Sequence, residues 1–122
     1  KENSLQYTVL KPIINQVAGK ITIPQQNGFE VLEIKDILYC QADDNYTNIF
    51  LKDTKRLVSK TLKHFEEILS ENGFARVHKS YLVNVNEIKE YKKGKGGSVV
   101  LTNGKQVMVS PSRKKELLAF FN

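Results

Sequence analysis

Between residues 20 and 109 the chain reads as a series of short apolar runs with a period near two, interrupted once by helical spacing. Lys20–Pro24 and Phe29–Ile34 are β-rich, and Asn27-Gly28 between them offers the positive-φ positions of a tight hairpin. Ile37-Leu38-Tyr39-Cys40 is continuously apolar, as expected of a buried strand. Tyr46–Leu51 is a further strand, which Asp53-Thr54 turns into Arg56–Ser59. Leu62, Phe65, Ile68 and Leu69 then recur at helical spacing, with Lys63, His64, Glu66 and Glu67 on the other face. Ser59 or Thr61 caps this helix, and Asn72-Gly73 supplies a left-handed stop. Phe74–Val77, Tyr81–Val85 and Ile88–Lys92 return to strand, the last leading into a loop at Gly94–Gly97. Val99–Thr102, Asn103-Gly104 and Lys105–Val109 predict a hairpin with a two-residue type I′ turn. A closing helix is expected with Ser110 as N-cap, Pro111 at its first position, and Leu117, Leu118, Phe120 and Phe121 as its apolar stripe.

Ahead of these elements Leu5, Val9, Leu10, Ile13 and Ile14 follow no clean period and are interrupted by Pro12. Residues 1–18 are therefore expected to be a linker or N-terminal extension, with one domain over 19–122. The first residue, Lys1, reads as the start of a processed or excised chain.

Composition narrows the class. With 40% hydrophobic residues in 122, the chain can build one core. No apolar run approaches the roughly 18 residues that suggest a membrane span, and no signal-peptide pattern is seen. The single cysteine, Cys40, cannot form an internal disulfide, which fits a reducing compartment and the expectation of a soluble cytosolic domain. Charge is uneven: residues 1–75 hold 9 Lys/Arg against 10 Asp/Glu, whereas residues 76–122 hold 10 against 3. A basic half beside a neutral one is the footprint of a polyanion binder.

Catalytic and metal chemistry find little support. Cys40 lies in an apolar strand, where a cysteine is usually a small buried hydrophobe, and nothing places His64 or His78 with a carboxylate around it. Two histidines and one cysteine match no metal spacing. Gly94-Lys95-Gly96-Gly97 lacks the setting of a phosphate loop and reads as a basic turn. The expectation is a protein that is not an enzyme and needs no metal or cofactor.

Three clusters suit nucleic acid. Asp43-Asp44-Asn45-Tyr46-Thr47-Asn48 is a polar loop between apolar strands, in which asparagine can bond adenine and hydroxyls can take phosphates, although the two aspartates would repel a phosphate and a simple Asp-Asp-Asn turn is at least as good a reading. In Arg76-Val77-His78-Lys79-Ser80-Tyr81, an extended segment puts Arg76 and His78 on one face, with Lys79 opening the turn. There a histidine that braces the loop is as good a reading as one that contacts DNA. Ser110-Pro111-Ser112-Arg113-Lys114-Lys115 sets three cations at a helix start, an arrangement a phosphate partner would relieve.

These segments together resemble the LytTR family of bacterial DNA-binding domains, over roughly Gly19 to Phe121. The resemblance is carried by Ile37-Leu38-Tyr39-Cys40-Gln41-Ala42, Asn45-Tyr46-Thr47, Leu62-Lys63-His64-Phe65-Glu66, the run Phe74 to Asn84, Asn103-Gly104 and Val107-Met108-Val109-Ser110. It implies an elongated, mostly β fold of stacked sheets with one mid-chain helix and a short C-terminal helix. It further implies the output domain of a two-component response regulator that reads direct repeats in promoter DNA through loops in successive major grooves. Carried over by position, base-reading residues are Asn45, Lys79 and Ser112 or Arg113. Lys60, Arg76, His78, Ser80, Ser110 and Lys114 are implied as phosphate or loop-bracing positions. The chain departs from many members in placing Pro111-Ser112 before Arg113, where they have basic residues directly after the serine. Implied partners are double-stranded promoter DNA, a receiver domain ahead of this segment and a second copy on DNA, with no membrane.

Two other classes compete. A protein-interaction module with an incidental basic face would dock through Leu117, Leu118, Phe120 and Phe121, although these are expected to complete the domain's own core. An RNA binder would need exposed aromatics for stacking, for which only Tyr46 and Tyr81 qualify.

Overall fold

The computed structural model describes residues 18–121. Apart from Ala18, the expected N-terminal linker lies outside the described residues. Strands β1 (Lys20–Gln25) and β2 (Gly28–Glu33) form an antiparallel hairpin in which Ile21 pairs with Leu32, both buried. Gln25 pairs with Gly28, so the loop is Gln26-Asn27, one residue earlier than the dipeptide Asn27-Gly28 predicts. A one-residue slip would turn Ile21, Ile23 and Leu32 outward, so burial of the strand face overrides the local turn preference.

Five strands make the central sheet: β3 (Ile37–Asp43), β4 (Tyr46–Leu51), β5 (Lys55–Val58), β6 (Phe74–His78) and β7 (Tyr81–Asn84), in the order β5-β4-β3-β7-β6. Ile37 to Cys40 are all buried because β3 sits in the middle of this sheet with both faces covered. Between β5 and β6, helix α1 (Leu62–Leu69) buries Leu62, Phe65 and Leu69. Of the two candidate caps, Thr61 fills the role, its hydroxyl accepting from the His64 amide at 3.2 Å. A 3-10 turn over Ser70–Asn72 precedes Gly73, which ends the helical segment at φ 83, the left-handed stop expected there.

Strands β8 (Ile88–Lys92), β9 (Ser98–Leu101) and β10 (Gln106–Met108) form a three-stranded sheet with β9 central. Its hairpin is not the expected two-residue type I′ turn. Leu101 N donates to Lys105 O and Gly104 N donates to Leu101 O, which leaves Thr102-Asn103-Gly104 as a three-residue loop. Only Gly104 takes positive φ (90°), because Asn103 uses its side-chain carbonyl to accept from the Lys105 amide at 3.0 Å.

The central sheet is the middle of three layers. On one face Ile37, Cys40, Ile49, Val58, Leu82 and Phe74 pack with the β1–β2 hairpin and α1. On the other, Leu38, Tyr39, Ala75, Val77, Val83 and Val85 pack with β9, β10 and Leu117 of α2 (Lys114–Ala119). The C-terminal segment differs from expectation twice. Pro111–Arg113 winds as a 3-10 turn before α2, and the Ser110 side chain makes no cap bond, its backbone carbonyl accepting from Arg113 N at 2.9 Å instead. Of the apolar stripe, Leu117 is buried and Leu118 half-buried, while Phe120 and Phe121 are 50% and 55% exposed. With a tighter first turn and only six residues of α-helix, one side of α2 reaches the core and its last residues point past it.

Candidate nucleic-acid interface

Antiparallel pairing brings three turns to one end of the central sheet. The β3–β4 turn is closed by Asp43 opposite Tyr46, the β6–β7 turn by His78 opposite Tyr81, and the exit of β5 lies where Val58 pairs with Thr47. Hydrogen bonds tie them together. Ala42 N donates to Ser80 O at 2.9 Å, joining the first two turns, and the buried Thr47 hydroxyl donates to Lys60 O at 2.8 Å, joining the third. A fourth segment is added by Ser110 N, which donates to Val77 O at 2.7 Å.

In the first turn Asp44 takes the left-handed conformation (φ 59), which aspartate tolerates better than most residues, and Asn45 beside it is exposed. Asn45 has no side-chain hydrogen bond among the described residues. The Thr47 hydroxyl, which the sequence offers as a phosphate ligand, is fully buried and committed to Lys60, so its role is to hold the β5 exit. Thr47→Val, which keeps the shape and removes the donor, is expected to cost about 1 kcal/mol in urea unfolding. An unchanged midpoint and slope would show the bond to be dispensable.

Arg76 is spent on bracing. Its Nε donates to His78 O at 3.0 Å, Nη2 to Lys79 O at 2.5 Å and Nη1 to Glu66 Oε1 on α1 at 2.6 Å. His78 Nδ1 accepts from Ser80 N at 3.0 Å, which places the ring proton on Nε2, and its ring tilts against Tyr81 at 5.7 Å. The Lys79 side chain is exposed and unpaired among the described residues. Asn45, Lys60, Lys79, Ser80 and Ser110 are thus gathered at one end of the sheet. Ser112 is exposed in the 3-10 turn, and Lys114 is half-buried at the start of α2. Arg113 stands to the side of this end, lining a hollow with Glu66, Arg76, Glu116 and Phe120.

Two contributors escape a reading of the sequence. Glu66 looks like an ordinary solvated helix position until its contact with Arg76 is seen. The glycine-rich loop, read as a basic turn, is a packing element: Gly96 is buried against the backbone of Val109 and Pro111, the Tyr91 hydroxyl donates to Gly96 O at 2.8 Å, and Val109 N donates to Gly97 O at 3.0 Å. It therefore supports the strand end from which Ser110 enters the site.

Titration follows environment. Burial pushes the Cys40 thiol well above its usual range, so this cysteine is the inert core residue its strand suggests. His64 is held below the usual histidine value, first by burial and then by the Lys60 charge. Far from the turns, Glu30 is lowered and Arg56 raised by their mutual hydrogen bonds at 2.8 and 3.0 Å. Among the described residues no group of histidine, cysteine or carboxylate side chains could hold a metal, and no helix is long and apolar enough to cross a membrane.

Comparison with known proteins gives the family and the fold. The family model for the LytTr DNA-binding domain matches residues 27–122. The sensory transduction protein LytT of Bacillus subtilis is 31% identical over 107 residues, covering 84% of this chain and 44% of that protein. The heme-containing CO-sensing transcriptional regulator RcoM 1 of Paraburkholderia xenovorans is 30% identical over 97 residues, covering 79% of this chain and 36% of the relative. The chain thus spans less than half the length of these curated relatives. A solved LytTr DNA-binding domain from Bacillus cereus superposes with a TM-score of 0.74 at 24% identity, covering 87% of this chain and 99% of that one, and shares its fold. With the matched region running from the turn of the first hairpin through α2, this chain belongs to the LytTr DNA-binding domain family.

Proposed function

We propose that this domain is the DNA-reading output module of a bacterial transcription regulator, recognising direct repeats in promoters by placing its turns in successive major grooves. The observation that carries this reading is the convergence of the Asn45 and Lys79 turns, tied through Ala42 N and Ser80 O, with both side chains exposed and without protein partners among the described residues. Asparagine suits adenine and lysine suits guanine in the major groove. Ser112 or Arg113 supplies a further base contact from the 3-10 turn. Lys60, Ser80, Ser110 and Lys114 supply phosphate contacts that set register, and Arg76 and His78 brace the reading turn. The domain acts by binding rather than by catalysis, without a cofactor, in the bacterial cytoplasm. A receiver domain ahead of it and a second copy on the adjacent repeat complete the regulator.

Selection of duplexes from a random pool, followed by anisotropy titration across salt, tests this reading. A motif recurring at about one helical turn, bound with a steep negative salt slope, is the expected outcome. With that duplex, Lys79→Ala is expected to weaken cognate binding by about 1–3 kcal/mol while changing random-duplex binding far less. Equal losses on both would reduce Lys79 to a phosphate contact, and enrichment of no motif would reject sequence recognition altogether.

A further inference from the structure

We propose that Glu66 is a positioning residue for base recognition: through Arg76 it holds the turn that carries Lys79, and so couples helix α1 to sequence discrimination. The inference rests on the DNA-reading function proposed above. The β6–β7 connection is irregular, its register shifting between Arg76 and His78, so the ladder alone does not fix the turn. Beside the Ala42 N–Ser80 O and Ser80 N–His78 Nδ1 bonds, the Arg76 guanidinium clamps it by donating to His78 O at 3.0 Å and to Lys79 O at 2.5 Å. A planar fork with two carbonyls on it can adopt few orientations, and its remaining contact, Nη1 to Glu66 Oε1 at 2.6 Å, selects among them. The Arg76 side chain is 15% exposed and that of Glu66 33%, so the pair is part of the domain's flank rather than a free surface pair.

Glu66 has a second effect. By neutralising Arg76 it keeps that cation from competing for phosphate, which leaves the exposed Lys79 to face the duplex. Loss of Glu66 should therefore act in opposite directions on the two kinds of binding. Without the carboxylate, the Arg76 fork loses the contact that selects its orientation, the Lys79 turn loses its reference point, and a guanidinium no longer neutralised adds sequence-independent attraction. A purely structural residue would not produce this split.

The test uses the selected duplex and a scrambled one, titrated by anisotropy across salt, with thermal unfolding confirming that each variant is folded. Glu66→Ala is expected to weaken cognate binding about 10-fold, the scale of one lost base contact. Scrambled binding should hold or tighten, with the log–log salt slope steeper by about 0.9, corresponding to one added phosphate contact. Glu66→Gln retains an acceptor for Arg76 and should keep most of the discrimination. Arg76→Lys retains the charge but not the fork, and should lose it. In the free protein, exchange of the Ser80 amide, which bonds His78 Nδ1, should quicken in Glu66→Ala. A folded Glu66→Ala that preserves the cognate-to-scrambled ratio, or that weakens both duplexes equally, overturns the proposal. If the wild-type domain prefers no duplex, it is the DNA-reading function that fails, and Ser80 exchange still reports whether Glu66 holds the turn.

Discussion

Gly96→Ala is expected to be among the most damaging single-methyl additions this domain can receive. A Cβ on Gly96 would overlap the Val109 carbonyl oxygen and come within 2.8 Å of Pro111 N, and both obstacles are backbone rather than yielding side-chain tips. Overpacking typically costs about 1–3 kcal/mol when side chains can shift, and here the expected loss lies at or beyond the upper end of that range. Gly104→Ala provides the contrast. Nothing lies within 4 Å of its added Cβ, and its φ of 90° leaves only the conformational penalty of about 1–2 kcal/mol. Thermal unfolding of the two variants separates steric from conformational cost. The Gly96 variant should also lose DNA binding beyond its stability loss, because moving Val109–Pro111 pulls Ser110 N away from Val77 O. A Gly96→Ala melting point equal to or above that of Gly104→Ala would contradict the packing role.

Leu117→Ala carries the other large effect. Leu117 is 1% exposed and is the one residue of α2 in the core between the central and three-stranded sheets, so truncation should cost about 2–5 kcal/mol. At about 4 °C per kcal/mol for a domain of this size, the melting point should fall by roughly 8–20 °C. Phe120→Ala and Phe121→Ala, at half exposure, should each stay within about 1 kcal/mol of wild type. The apolar tail thus divides into one core anchor and two surface aromatics. Comparable losses at all three positions would mean that the whole stripe is structural.

Periodicity made the elements legible. Ile21 and Ile23 announce β1, the four apolar residues from Ile37 announce a strand covered on both faces, and Leu62, Phe65 and Leu69 announce α1, because burial repeats at the local pitch of the backbone. Turn geometry was less legible. Asn27-Gly28 and Asn103-Gly104 both advertise the same tight turn, yet register decides the first and the Asn103 side chain decides the second. Neither influence is visible in a dipeptide. The placement of β7 between β3 and β6, which gathers the turns at one end, depends on pairings about 40 residues apart, such as Cys40 with Leu82, that no local signal encodes. The candidate site was legible as residue types and far less as roles: Thr47 and Arg76 look equally fit for phosphate, and only their partners, Lys60 O and Glu66, show them to be internal braces.

The turns at the sheet end are joined by main-chain bonds, from Ala42 N to Ser80 O and from Ser110 N to Val77 O, which any residue except proline at the donor positions can make. The scaffold of the interface is therefore largely indifferent to the side chains it displays at Asn45, Lys79 and Ser112. On the function proposed above, such an arrangement lets operator preference evolve by exchange of single exposed residues without refolding of the domain, at Asn45, Lys79 and Ser112 or Arg113.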